Sequence, residues 1–201
     1  MSLSFLKWSE YSEHPEFTHV IDARTPSEFA QDHIPGAINL PVLSDDERVQ
    51  VGTTYKRDAF RARKIGAALI SRNIADMLEG PLKAMDGSFY PLIYCWRGGQ
   101  RSQSLALILS QIGFRVSVVE GGYKSYRQKV VASLDSLPEQ FELRLLSGLT
   151  GTCKTKILLM MKERGFQVLD LEGLANHRGS LLGVSPETIQ PSQKGFESHL
   201  A

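Results

Sequence analysis

One short segment of the sequence, Cys95 to Arg101, contains a cysteine, two glycines and two arginines and directly follows an apolar run. Where a buried strand turns into a helix, backbone N–H groups point into the turn, glycines permit tight curvature, and the helix N-terminus adds positive potential. A helix dipole and nearby guanidinium groups favour a thiolate, which is nucleophilic. We therefore predict that Cys95 lies at the loop rim as a catalytic nucleophile, and that an oxyanion binds the loop residues Trp96, Arg97, Gly98, Gly99, Gln100 and Arg101.

A second glycine-containing segment, residues 147–155, has the spacing of a Walker A loop. Such a loop wraps phosphates with backbone N–H groups, sets a lysine against the terminal phosphates and offers the next hydroxyl to Mg²⁺. Cysteine stands where the motif has its last glycine, at an expected cost on the order of 1–2 kcal/mol if that position needs a positive φ. The predicted phosphate-binding residues are Gly148, Gly151, Thr152, Cys153, Lys154 and Thr155. A glycine-rich turn that only links strand to helix is the alternative.

Asp170 is the candidate for a Walker B aspartate, because it follows an apolar run. It could equally cap the next helical segment, since aspartate is a preferred N-cap residue. The sequence alone leaves both roles open.

The elements that must position these loops are short apolar strands alternating with amphipathic helices. This alternation predicts a parallel α/β architecture. Helical spacing of Ala62, Ile65 and Leu69, and of apolar residues from 105 to 112, indicates two helices that pack on the sheet. The predicted strands are residues 18–21, 91–94, 116–119, 143–146 and 167–169.

Composition sets limits on environment and partners. The 23 basic and 22 acidic residues give a net charge of +1, so nucleic acid would have to bind a local basic patch. Only two cysteines occur, which favours a reducing compartment, and no apolar run is long enough for a membrane span. We expect a cytoplasmic protein without membrane contact, and no Cys and His spacing predicts a metal site.

A proline-containing polar stretch near residue 133 is the candidate domain boundary. The expected organisation is a first domain over 1–132, a linker over 133–141 and a partial P-loop domain over 142–201. About sixty residues are few for a free-standing core, so we expect the second domain to be truncated.

Several segments resemble the opening signature and active loop of the rhodanese family: residues 21–24, 28–29, 33–41 and 120–123, together with the cysteine loop. The resemblance covers roughly residues 1–130 and implies a rhodanese-like parallel-sheet domain. It further implies that Cys95 accepts sulfur or selenium as a persulfide or selenopersulfide, and that Asp22 and Arg24 brace the loop. A simple ion pair between Asp22 and Arg24 is the alternative.

The spacing from Cys95 to Arg101 is one residue longer than in usual sulfurtransferase loops and equals that of related cysteine phosphatases and arsenate reductases. A larger anion such as selenophosphate should therefore fit better than thiosulfate. A cysteine phosphatase, a rhodanese-type sulfurtransferase and an anion-binding regulatory module without catalysis remain alternative functions.

Residues 169–180 and 190–197, with the cysteine loop, resemble the tRNA 2-selenouridine synthase family. That resemblance implies an enzyme that replaces the sulfur of wobble 2-thiouridine in tRNA with selenium from selenophosphate, through an S-geranylated intermediate made from geranyl diphosphate. Cys95 would serve the selenium exchange, while geranyl diphosphate or a nucleotide with Mg²⁺ would bind the P-loop. No tightly bound cofactor is expected, and selenophosphate synthetase is a candidate partner besides tRNA.

The densest basic cluster indicates where tRNA phosphates would bind. On one helix, Arg57, Arg61 and Lys64 would share a face opposite the apolar stripe. A solvated charged face is the alternative. The predicted phosphate contacts also include Lys124, Arg127 and Lys129.

Overall fold

The computed structural model describes residues 2–13, 16–149, 151–178, 183 and 189–201. Thr150 of the P-loop segment and residues 179–180 of the family-like run lie outside them. No helix in the described ranges is both long and apolar enough to cross a membrane.

The strands are β1 (Ser2–Lys7), β2 (His19–Asp22), β3 (Ile38–Asn39), β4 (Pro91–Tyr94) and β5 (Arg115–Glu120). The α-helices are α1 (Pro26–Gln31), α2 (Asp45–Tyr55), α3 (Ala59–Glu79), α4 (Gln100–Ile112), α5 (Gly122–Ser136), α6 (Lys154–Glu163), α7 (Leu171–Leu174) and α8 (Gln193–Leu200).

The five strands form one parallel sheet in the order β1-β5-β4-β2-β3. This confirms the mixed α/β class with a parallel sheet. Because parallel strands end at the same edge, the segments that follow β2, β4 and β5 lie at one edge of the sheet. These segments contain Arg24, Cys95 and the Gly121–Gly122 pair.

Three predicted strands are confirmed as β2, β4 and β5, each to within one residue at both ends. All four residues of β4 are buried, as expected for a central strand covered on both faces. Strands β1 and β3 were not predicted. Serines interrupt the apolar residues of β1, and β3 has only two residues.

The core of the first unit, Met1–Lys129, lies between the sheet and helices α3 and α4. Helix α3 begins after the N-cap Asp58, whose carboxylate accepts a hydrogen bond from the Arg61 backbone N–H. Its buried face is centred one position away from the predicted stripe, so Ile65 and Leu69 are only partly buried. The buried residues are Ala62, Gly66, Ile70, Ile74 and Met77.

The second unit, Val130–Ala201, has helices but no strand in its described residues. The predicted strands 143–146 and 167–169 are therefore wrong. A strand gains its hydrogen bonds from a neighbouring strand, and the described part of this unit offers none. Leu145 is accordingly 92% exposed. Helix α5 continues to Ser136 and is followed by a 3₁₀ turn over Leu137–Gln140.

Candidate active site

Cys95 follows the last residue of β4 and lies beneath the loop, with only 3% of its surface exposed. This contradicts the expected position at the rim, because the strand end itself is buried. The Ser102 hydroxyl donates a hydrogen bond to Cys95 Sγ at 3.2 Å, and the thiol lies 3.9 Å from the Gly99 carbonyl oxygen. Ser102, one turn into α4, was not predicted. It is the group that most directly contacts the sulfur.

The loop backbone has the features of an anion cradle. Gly98 has φ +66°, and a Cβ there would lie 2.5 Å from the Val119 carbonyl oxygen, so only glycine fits. In the described part of the chain, no acceptor receives a hydrogen bond from the backbone N–H groups of Arg97, Gly98 or Gly99. Successive N–H groups ahead of a helix N-terminus bind anions. The loop can therefore bind an oxyanion through its backbone.

The start of α5 supports the loop from below. The Tyr123 N–H donates to the Cys95 carbonyl at 2.8 Å, and the Lys124 N–H donates to the Trp96 carbonyl at 3.1 Å. A Cβ on Gly122, which has φ +58°, would collide with the Cys95 carbonyl oxygen. In the sequence, only the pair Gly121–Gly122 indicated that the start of α5 lies this close to the cysteine loop. These contacts fix the carbonyls on either side of the nucleophile.

The guanidinium of Arg101 or Arg97 was expected to act on the Cys95 sulfur, but the contacts of both arginines lie elsewhere. Arg101 forms an ion pair with Glu28, with Nη1 and Oε2 separated by 2.6 Å, and Arg97 is exposed. Burial alone raises the pKa of Glu28, but the hydrogen bond and charge of Arg101 outweigh it and hold this pKa below its usual value of 4.5. Arg101 therefore joins α4 to the capping box of α1, where Glu28 also accepts from the Thr25 N–H.

Asp22 and Arg24 form a buried ion pair beside the loop, with Arg24 Nη2 2.6 Å from Asp22 Oδ2. Arg24 also donates to the Asp32 carbonyl at 2.6 Å, and its guanidinium lies 4.0 Å from the centre of the Tyr123 ring. Burial by itself lowers the pKa of Arg24, but the hydrogen bond and charge of Asp22 outweigh burial, and the net effect is a raised pKa. The Arg24 guanidinium thus stays charged, and it contacts Tyr123, the residue that supports Cys95.

Two buried tyrosines complete this support. Burial is the main cause that raises the pKa of both Tyr94 and Tyr123 above the usual value, followed by Asp22 for Tyr94 and by Asp32 for Tyr123. The Tyr123 hydroxyl donates to Asp32 Oδ2 at 2.5 Å, and Tyr94 accepts from the Ile34 N–H. Trp96 is 37% exposed, with its ring 5.4 Å from that of Tyr123. Both hydroxyls therefore stay protonated; that of Tyr123 donates to Asp32, and that of Tyr94 accepts from the Ile34 N–H.

In the second unit, the P-loop residues surround the N-terminus of α6. Lys154 Nζ donates to the carbonyls of Gly148 and Leu149, at 2.8 and 2.9 Å, so the lysine curves back over its own loop. The Thr155 hydroxyl lies at the same helix start, 3.5 Å from Glu172 Oε2. Gly151 has φ +84°, and the Thr152 hydroxyl donates to the Leu149 carbonyl.

Cys153 adopts the left-handed conformation, with φ +57°. The position that carries glycine in the motif thus does need a positive φ here, and cysteine pays a steric penalty on the order of 1–2 kcal/mol. Asp170 caps α7, accepting a hydrogen bond from the Gly173 N–H at 2.9 Å. The capping role, one of its two predicted alternatives, is the one observed.

The basic cluster lies at the turn between α2 and α3. Lys56 caps α2, and Arg57 lies in the turn, so the prediction that Arg57 shares a helix face with Arg61 and Lys64 is wrong. Asp58 interrupts the helix as the N-cap of α3. Among the described residues, no group of three or more His, Cys, Asp and Glu side chains is placed to hold a metal ion.

The parallel sheet, with a cysteine loop between its central strand and a helix, defines a rhodanese-like domain. The chain belongs to the rhodanese-like domain family, whose model matches residues 8–129. Residues 141–201 match the model of the tRNA 2-selenouridine synthase AAA domain.

Curated relatives extend over both matched regions. The chain is 40% identical over 212 residues to the tRNA 2-selenouridine synthase of Shewanella halifaxensis, covering 100% of this chain and 54% of that protein. It is 40% identical over 186 residues to the tRNA 2-selenouridine synthase of Nitrosomonas europaea, covering 92% and 48%. The chain thus spans about half the length of these relatives.

A solved structure resembles the first unit. It is the N-terminal domain of a protein from Clostridium difficile 630 described as an ATP/GTP binding protein. The TM-score is 0.57 at 35% identity, covering 64% of this chain and 99% of that domain. The recognition of a rhodanese-like domain joined to a segment of the selenouridine synthase type is confirmed.

Proposed function

We propose that this chain carries the selenium-transfer chemistry of a tRNA 2-selenouridine synthase, with Cys95 as the nucleophile. The observation that carries the proposal is the position of the Cys95 thiol. It lies beneath a loop whose N–H groups at residues 97–99 have no acceptor in the described part of the chain, at the N-terminus of α4. A sulfur that receives a hydrogen bond from Ser102 beside an anion cradle suits attack on an anionic donor. The substrate would be tRNA in the cytoplasm, and selenophosphate synthetase would supply the donor.

The reaction would proceed in two stages. In the first, the sulfur of wobble 2-thiouridine attacks the first carbon of geranyl diphosphate, and diphosphate leaves. In the second, selenium replaces the geranylated sulfur at the base, and this sulfur leaves as a thiol. The Cys95 thiolate attacks the phosphorus of selenophosphate while the loop backbone binds the phosphate oxygens; the S–P bond forms as the P–Se bond breaks, and selenide leaves. This selenide attacks the base and displaces the geranylated sulfur, and water then hydrolyses the phosphorylated cysteine.

The loop spacing supports selenophosphate as the donor over thiosulfate. Five residues separate Cys95 from Arg101, which makes the loop wider than the usual sulfurtransferase loop. Equal turnover of thiosulfate and selenophosphate by the chain would contradict this preference. The pairing of Arg101 with Glu28 weighs against a cysteine phosphatase, in which that arginine would have to bind the phosphate.

The P-loop residues fit a diphosphate or a nucleotide with Mg²⁺. Lys154 lies over the loop backbone, and the Thr155 hydroxyl is at the helix start, where the motif requires them. Lys154 would exchange its contacts with the Gly148 and Leu149 carbonyls for phosphate oxygens. Thr155 would supply a hydroxyl ligand to a Mg²⁺ ion, which would offset the phosphate charge.

The proposal is tested with tRNA that already contains S-geranyl-2-thiouridine, because this substrate bypasses the first stage. The chain is incubated with the tRNA and selenophosphate, and the nucleosides are analysed by mass spectrometry. We expect 2-selenouridine with the wild type and with Cys153→Ser, and none with Cys95→Ser. Unchanged nucleosides with the wild type, or equal product with Cys95→Ser, would overturn the proposal.

The first stage has its own test, in which 2-thiouridine tRNA is incubated with geranyl diphosphate and no selenium donor. S-geranyl-2-thiouridine should form with the wild type and with Cys95→Ser, whereas Lys154→Ala should abolish it. Product from Lys154→Ala at the wild-type rate would contradict a role for the P-loop.

A further inference from the structure

A groove of about 410 Å³ lies between α2 and α3 in the first unit and reaches the first turn of α4. Its apolar lining includes Leu43, Val51 and Ile70. Gln100 and Arg101 are also lining residues. These two residues complete the cysteine loop, so the groove and the candidate active site share part of their lining.

The walls of the groove are firmly joined. The Asn73 amide on α3 donates to the Val42 carbonyl at 3.0 Å and to Glu47 Oε2 at 2.8 Å, which ties α3 to the start of α2. A Cβ on Gly66 would lie 3.5 Å from Val51, so the two helices pack closely. The groove is therefore preformed, and a ligand would bind without opening the helix pair.

The charge of the groove and its outer end is strongly positive. Residues 48–64 contain six basic side chains and a single acidic one, in a chain whose net charge is +1. The acidic residue, Asp58, is engaged as an N-cap. Arg48 and Arg63 line the groove, and neither forms an ion pair with any residue the structure describes. A Cβ on Gly52 would lie 2.9 Å from Arg48 Nη1, so this guanidinium lies close to the surface of α2.

Aromatic side chains accompany these charges. Tyr55 lines the groove and is 52% exposed, while Phe60, in the first turn of α3, is 71% exposed. A planar ring beside arginines is the arrangement by which proteins stack unpaired bases and bind the adjoining phosphates. A peptide or a small anion would use the charges but would have no need of the exposed ring.

We propose that this groove binds an unpaired nucleotide of the RNA substrate, with its base stacked on Tyr55 and its phosphates bound by Arg48 and Arg63. The proposal rests on the proposed function, since it takes RNA as the substrate. An RNA strand bound there would lie close to the cysteine loop, because the first turn of α4 lines the groove. Lys56, Arg57, Arg61 and Lys64 would bind phosphates outside the groove.

The charge part of the proposal is tested by tRNA binding at several salt concentrations. Arg48→Glu/Arg63→Glu is compared with Lys7→Glu/Lys83→Glu, a control with the same charge change at exposed lysines outside the groove. We expect the groove variant to bind at least tenfold more weakly than the control. The slope of log K against log salt concentration should become shallower by about 1.4, since two phosphate contacts are lost and each contact with a single strand contributes about 0.7. Equal binding by the two variants would overturn the proposal.

The stacking part is tested at Tyr55. Tyr55→Ala should weaken tRNA binding roughly tenfold without changing the salt slope, because stacking on an aromatic ring carries no counterion release. Tyr55→Phe should restore the affinity, as it keeps the ring. Wild-type affinity in Tyr55→Ala would show that no base stacks there.

A third readout separates this proposal from the proposed function. Release of selenide from selenophosphate alone, which needs Cys95 but no RNA, should be the same in the wild type and in all groove variants. No selenide release by the wild type, with tRNA binding still dependent on Arg48 and Arg63, would reject the transfer chemistry and leave the groove supported. Binding to phosphatidylglycerol vesicles that depends on these arginines, while tRNA binding does not, would instead assign the groove to a lipid surface.

Discussion

The cysteine loop and the P-loop are both glycine-containing turns that precede a helix, but the contacts that hold them differ. The cysteine loop follows the buried central strand β4 and is bound by groups from α1, α4 and α5. The P-loop follows an exposed, non-strand segment, and Lys154 binds the carbonyls of its own loop. The geometry of the first loop thus depends on distant residues, whereas that of the second depends on local ones.

This difference predicts where substitutions act. Changes to residues that support the cysteine loop should destabilise the whole first unit, because they disturb its core. Changes in the P-loop should act locally and alter ligand binding more than folding. Four predictions test the contrast.

The largest expected effect on stability is that of Asp22→Asn. This change leaves Arg24, which is 2% exposed, without a charged partner, and breaking a buried ion pair costs about 3–5 kcal/mol. The free energy of unfolding of the first unit, measured in urea, should fall by that amount. Asp76→Asn, at an exposed position of the same unit, serves as the control and should have little effect. A loss below 1 kcal/mol for Asp22→Asn would show that the buried pair does not support the domain.

The second largest loss of stability is expected for Gly122→Ala, which should lower the free energy of unfolding by about 3 kcal/mol or more. The change places a side chain at a positive φ and makes it clash with the Cys95 carbonyl. The control is Gly113→Ala, which also has a positive φ, +117°, but no atom within 4 Å of the new Cβ. It should cost about 1–2 kcal/mol, the conformational penalty alone. Urea unfolding and the alkylation rate of Cys95 measure both variants, and equal losses would argue against close support of the loop by α5.

Cys153→Gly should have the opposite sign. It removes the strain at φ +57° and should stabilise the second unit by about 1 kcal/mol. The same change should tighten binding of geranyl diphosphate several-fold, as measured by calorimetry. Cys153→Ala keeps the Cβ and should behave as the wild type. An equal gain in Cys153→Ala would assign the effect to the thiol rather than to the backbone.

The smallest effect is expected for the Glu28–Arg101 pair, at about 0.5–1 kcal/mol because it is partly exposed. The pKa of Glu28 is held below 4.5, so the pair stabilises the fold fully above pH 4.5 and is lost as the pH falls through the lower value. The stability difference between the wild type and Glu28→Gln should therefore be constant from pH 7 to pH 5 and vanish on further acidification. A difference that grows in acid would have the wrong sign.

Sequence reasoning located the cysteine loop because its signals are local. A buried strand, paired glycines and a helical pattern stand next to one another around Cys95. The partners of the loop were missed because they come from elsewhere: Glu28 binds Arg101 across 73 positions, and Tyr123 binds Asp32 across 91. Composition and spacing do not encode which arginine turns toward which carboxylate.

The same limit explains the two wrong strands. The runs 143–146 and 167–169 have the apolar residues of strands, but strand formation depends on a neighbour, which the local sequence does not show. At Cys153 the sequence indicated a cost only if that position needs a positive φ, and the structure shows that it does. Local sequence patterns were thus sufficient for the loops, whereas whether an apolar run forms a strand depends on a partner strand elsewhere in the chain.

The central claim, that the Cys95 thiolate attacks selenophosphate, is tested most directly by measuring the selenide released from selenophosphate together with the intact mass of the chain. The wild type and Cys153→Ser should each release selenide and gain the mass of one phosphoryl group, which hydrolysis should remove on longer incubation. Cys95→Ser should do neither. No selenide release by the wild type, or the same release by Cys95→Ser, would contradict the account.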